Sequence, residues 1–91
     1  MNIEEVYISG ESVVLMGETW ITVDTDEATY EVLIEWTKLP DKFRVEDANI
    51  TRVIESTSNE NHTYENGEWE NIYGWQEIEE AVWKKFDENF S

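Results

Sequence analysis

Apolar residues recur near the end of the chain at Trp75, Ile78, Val82 and Phe86, spacings of three, four and four that place them on one stripe of a 3.6-residue helix. Glu77, Glu80, Lys84 and Glu88 fall opposite. Gly74 reads as the N-cap, which puts Glu77 at N3 near the positive end of the macrodipole and sets Tyr73 and Ile78 at the N′ and N4 positions of a hydrophobic staple. Glu80 and Lys84 are spaced for an i,i+4 ion pair. An isolated helix of about 15 residues is marginal in water, so the apolar stripe needs a surface to lie on.

Upstream the period changes to two. Tyr30, Val32, Ile34 and Trp36 alternate with Thr29, Glu31, Leu33, Glu35 and Thr37, which makes Ala28 to Thr37 the clearest strand. Thr19 to Asp24 is a second β segment, with Trp20 and Thr22 on one side and Ile21 and Val23 on the other, and Asp24-Thr25-Asp26-Glu27 is the turn that joins the two. Before them, Ile3 to Ile8 is β-prone, Ser9-Gly10-Glu11-Ser12 reads as a turn, and Ser12 to Met16 as a short strand closed by Gly17. Lys38-Leu39-Pro40-Asp41 ends the clearest strand, since proline cannot donate to a central ladder. Ile50 to Glu55 is β-like again, Ser56 to Asn61 is a polar connector, and Asn66-Gly67 is a strong two-residue hairpin signal inside His62 to Glu70. The expected fold class is α+β, a curved antiparallel sheet of four to six strands with one C-terminal amphipathic helix packed on one face. All of it fits a single domain over 1–91, with a β-rich body at 1–70 and the helix within 71–90.

Composition sharpens this picture. With 40% hydrophobic residues, 13% aromatic and five Trp, the chain can build a core, so its acidity belongs to a folded surface. There is no Cys, hence no disulfide or thiolate chemistry, which suits a reducing compartment. No apolar run approaches a membrane span and the N-terminus has no signal-peptide pattern, so the expectation is a cytoplasmic protein without membrane association.

The net charge of −16 is unevenly built. Residues 1–37 hold nine acidic residues and residues 53–83 hold eight, with no Lys or Arg in either stretch. The six bases are Lys38, Lys42, Arg44 and Arg52 in the middle and Lys84 and Lys85 in the helix. Self-repulsion on this scale opposes compaction, so a gain other than stability is expected to maintain it. The charge also argues against direct nucleic-acid binding, which needs Lys and Arg at the phosphates.

Specific chemistry is thinly signalled. Asp24-Thr25-Asp26-Glu27 has the alternating carboxylates that open a calcium loop, but it lacks the sixth-position Gly and a usable twelfth-position acid, so a solvated turn is the stronger reading. His62 is the only histidine and has no nucleophile or metal-ligand companion in sequence. No catalytic, cofactor or metal-ligating residue is therefore assigned, and a non-enzymatic protein is expected. Among the aromatics, Trp20, Trp36 and Trp75 fit the core, whereas Trp69, between Glu68 and Glu70, and Trp83, beside the helix stripe, fit either the core margin or an acid-ringed binding surface.

Two acidic rows are expected to present a partner surface. Same-side residues on a strand lie roughly 6.6–6.8 Å apart, so Glu31 and Glu35 contribute to one row, and Glu77, Glu80 and Asp87 on the helix contribute to another. With Glu68, Trp69, Glu70 and Trp83 these are the candidate partner-binding residues. In size, acidity, strand-rich body and a closing helix beginning Gly74-Trp75-Gln76-Glu77-Ile78-Glu79-Glu80-Ala81, the chain resembles small proteins of bacteriophages and mobile elements, among them anti-CRISPR proteins and other DNA-mimicking inhibitors of host defence. The resemblance implies a non-catalytic, cofactor-free inhibitor that occupies the basic surface of a nucleic-acid-binding nuclease complex. The competing expectations are a structural or accessory interaction module, homodimeric or otherwise self-associating, whose acidity serves solubility, and a cation-dependent protein or small enzyme using the Asp24–Glu27 turn.

Overall fold

The computed structural model describes residues 2–12, 16–38 and 45–90. Five strands form one antiparallel sheet in chain order: β1 (Ile3–Ser12), β2 (Met16–Thr25), β3 (Thr29–Lys38), β4 (Val45–Ser56) and β5 (Asn61–Glu65). A short 3₁₀ turn, Glu68–Asn71, leads to the single helix α1 (Trp75–Phe90). The fold is α+β as the sequence pattern predicts. No helix among the described residues is long and apolar enough to cross a membrane.

The period-two pattern of β3 decides which face is the core. Tyr30, Val32, Ile34 and Trp36 are all buried and join Ile21, Val23 and Val53 from the neighbouring strands. The helix stripe closes over this layer, with Trp75, Ile78, Val82 and Phe86 each at most 6% exposed. α1 packs chiefly on β1 and β2. Bulges in β1, between Ile8 and Gly10, and in β4, opposite Leu33 and Ile34, interrupt the registers as bulges do where a sheet curls.

Gly17 shows how closely the layers fit. It pairs across the ladder with Trp36, and any Cβ at position 17 would overlap the Trp36 ring. The indole thus covers a glycine backbone, and its Nε1–H donates to the buried Thr19 hydroxyl at 2.9 Å.

Four local expectations need correction. Ser9 to Ser12 is no turn but the end of β1, pairing with Glu18 to Trp20. Its turn-forming residues serve the bulge: Ser9 Oγ donates to the Trp20 carbonyl, and Gly10 lies against the Trp20 side chain across the ladder. Second, Trp20 lies on the face away from the helix, half-buried, because Thr19, Ile21 and Val23 take the core side of β2. Third, Asn66 and Gly67 do adopt left-handed φ values of 54° and 84°, but the chain continues as a 3₁₀ turn and not as a sixth strand. Glu68, Glu70 and Asn71 offer no apolar alternate face to pair and bury. Fourth, the hydrophobic staple does not form. Tyr73 is 87% exposed and Ile72 is buried in its place, because the Trp75 N–H bonds the Ile72 carbonyl in a tight turn whose third residue, Gly74, has φ 78°. Of the short strand expected at Ser12 to Met16, residues 13–15 lie outside the described residues, as do residues 39–44.

Candidate functional site

Alternation places the acidic residues before any partner is considered. Because Tyr30, Val32, Ile34 and Trp36 point to the helix, Glu31 and Glu35 point to the opposite, open face of the sheet. Glu35 sits directly opposite Glu18 on β2 and Asn49 on β4, while Glu31 faces Thr22 and Ile54. The two are no continuous row, since Leu33 stands between them and is itself only 8% exposed. The open face also carries the ion pair found among the described residues, Arg52 to Glu65 at 3.0 Å. Of the central bases, Arg52 therefore pairs with β5, while the side chains of Lys38, Lys42 and Arg44 lie outside the described residues.

The helix acids form a separate group on the other side of the molecule. Glu77, Glu80, Asp87 and Glu88 are exposed. The expected Glu80–Lys84 ion pair does not close among the described residues. Two i+4 ridges run along this flank of α1, Trp75–Glu79–Trp83–Asp87 and Gln76–Glu80–Lys84–Glu88, and the furrow they line has a volume of about 890 Å³. The Trp75 indole donates to Glu79 at 2.7 Å, which holds one end of the first ridge. Trp83 is half-buried and meets Phe86 edge to face at 5.6 Å.

Glu68, Trp69 and Glu70 stand on the 3₁₀ turn. Glu68 accepts the Glu65 N–H at 3.3 Å, a local bond that caps the end of β5. Trp69 is half-buried against the core and lies 6.4 Å from the Trp75 ring, so it belongs to the core margin and not to an exposed anchor. The structure thus brings Glu80, Trp83 and Asp87 onto one flank, places Glu77 on the exposed helix surface outside the furrow, and leaves Glu31 and Glu35 on the opposite side. Sequence reasoning missed Gln76 and Glu79 as parts of the furrow; their i+4 offsets from Glu80 and Trp83 were the available signal.

The other candidates resolve as structural features. In the Asp24–Glu27 turn two of the three carboxylates accept from protein donors: Asp24 accepts the Thr29 hydroxyl at 2.9 Å and Asp26 accepts the Asn2 N–H at 3.0 Å. Thr25 Oγ1 accepts the Glu27 and Ala28 N–H groups, which closes the turn without a cation. Among the described residues no group of three or more acids and histidines could hold a metal ion. His62 is exposed and stacks edge-on against Tyr64 at 4.3 Å.

Glu55 lies beside two tyrosines. The Tyr64 hydroxyl donates to it at 3.4 Å, and the Glu55 charge also acts on the buried Tyr30 phenol. Burial first, then Glu55, pushes both phenols above the ordinary tyrosine value. These hydroxyls are held as neutral donors, which satisfies a polar group at the edge of the core.

Comparison of the chain with protein-family models, curated proteins and solved structures finds no match.

Proposed function

We propose that this protein is a non-catalytic inhibitor that binds a basic, nucleic-acid-binding surface, as on a host defence nuclease complex, with its carboxylates standing in for phosphates. The observation that carries the reading is the state of the charge: 22 acidic residues against six basic ones, with a single ion pair among the described residues. Carboxylates that are neither neutralised nor needed for packing remain available to a partner. They are displayed on strands and a helix, so their positions are fixed before binding and little ordering entropy is lost. A basic groove would draw such a surface in at steered rates.

The test is competition. RNA-guided nuclease complexes loaded with a labelled DNA duplex should release it when the protein is added, and the effect should weaken steeply between about 50 mM and 200 mM salt. Displacement that is indifferent to salt, or no displacement across a panel of basic nucleic-acid-binding enzymes, defeats the proposal. Reversing Glu77 and Glu80 to Lys should weaken binding while leaving the melting temperature nearly unchanged, since both are exposed.

A further inference from the structure

The furrow on the flank of α1 has a shape that ordinary helix packing explains. Ridges of residues four apart on one helix fit the grooves between such ridges on another, and both walls here are i+4 rows. α1 runs 16 residues, about 24 Å, long enough to seat several turns of a second helix. The apolar content lies on one wall, at Trp75 and Trp83, while Glu79, Glu80, Asp87 and Glu88 supply four acids against Lys84 alone. The core-closing stripe, Trp75, Ile78, Val82 and Phe86, takes one end of the first wall and Trp83 packs at the core margin, but the second wall, Gln76, Glu80, Lys84 and Glu88, stands outside the core.

From this geometry we infer that the furrow docks an amphipathic α-helix of a partner protein, one that carries an apolar i+4 ridge flanked by Lys or Arg. The apolar ridge lies against the half-buried Trp83, with the buried Trp75 at one end of the same wall, and the basic residues reach Glu80, Asp87 and Glu88. Glu79 is already bonded to the Trp75 indole and so keeps that ring in place when the ridge arrives. Charge complementarity selects this occupant over a second copy of the chain. Two copies packed through this flank would set four acids against four, a repulsive arrangement. The inference rests on the reading of a basic partner given above and narrows it to one element of that partner and one flank of this protein.

The probe is a synthetic helical peptide of about 18 residues built from Leu and Lys, with the Leu residues on an i, i+4 stripe. A control peptide has the same composition with the Leu positions scattered around the helix. The expected result is saturable binding of the first peptide, read by a shift in Trp emission, at an affinity at least about tenfold above the control. E80K with E88K should reduce that affinity by about tenfold or more, while E31K with E35K, on the opposite face, should change it by less than about twofold. W83A should abolish the emission shift, and circular dichroism of the variant establishes that the helix is retained. Equal binding of the two peptides, or an unchanged affinity in E80K with E88K, overturns the inference. Where E31K with E35K is the pair that loses peptide binding, the acidic-surface reading survives and moves to the sheet. Failure of both peptides while nuclease competition persists rejects the furrow alone. Sedimentation of the chain by itself covers the remaining occupant, since a dimer that W83A dissociates would assign the furrow to a second copy and overturn the inference.

Discussion

The two faces of β3 come from one ten-residue strand and live under different rules. On the helix side, Tyr30, Val32, Ile34 and Trp36 are at most 3% exposed, and each is fixed by what it touches. On the open side, Thr29, Glu31, Leu33, Glu35 and Thr37 share the same backbone and ladder, yet only Leu33 is buried there. Backbone pairing is common to both faces and cannot be what distinguishes them. Burial distinguishes them: the covered face selects side chains by volume, and the open face leaves room for charge that the fold does not need.

The largest test of this contrast is Trp36→Ala. It removes the indole from the covered face and leaves the buried Thr19 hydroxyl without that donor, so the expected loss is about 3–5 kcal/mol by urea denaturation. Next is Gly17→Ala, which adds a single methyl group to the same contact. Because that methyl would overlap the Trp36 ring, the ring or the strand must move, at an expected cost of about 1–3 kcal/mol. If Gly17→Ala proved neutral, the close stacking of indole on glycine would have to be abandoned.

The polar edge of the covered face gives a pH-dependent version. Tyr30 and Tyr64 have their pKa raised above the ordinary 10.0, so the unfolded chain releases these protons at lower pH than the folded one. Their contribution is fully present below pH 10.0 and is lost as the pH rises from there through the folded-state values. Urea midpoints should therefore fall above that pH, and Tyr30→Phe should flatten the fall. An equally steep fall in the variant would remove Tyr30 as its source.

This division also explains what could be read from the sequence. The helix stripe and the β3 alternation were legible because one residue period decides each of them over several turns or pairs. The exact role of Ser9-Gly10 was not, since the same residue types serve a turn and a bulge, and the choice depends on Trp20 across the ladder. Tyr73 and Ile72 exchange roles for a similar reason: a left-handed Gly74 reverses the chain by a turn that no side-chain period records. Of the candidate site, the exposure of Glu77, Glu80 and Asp87 was readable from the helix wheel. The placement of Glu31 and Glu35 away from the helix follows from the β3 alternation in the same way; the burial of Leu33, which breaks the row between them, does not, because the period marks Leu33 only as a member of the polar face.

The smallest expected effect probes the open face directly. Glu18 and Glu35 are cross-strand neighbours of like charge, an arrangement that costs roughly 0.2–1 kcal/mol where the side chains are close. Glu35→Lys should therefore raise the melting temperature slightly, more at low salt than at high salt, because it turns a repulsive pair into an attractive one. The same change at Val32 or Ile34 would unfold the protein, as neither has room or a partner for a charge. A stabilising Glu35→Lys means that the native residue is retained against the interest of the fold, and a matching loss of nuclease competition would assign that residue to binding. If stability rises and competition is untouched, the open face carries charge without a partner, and the helix flank is left as the surface through which the protein acts.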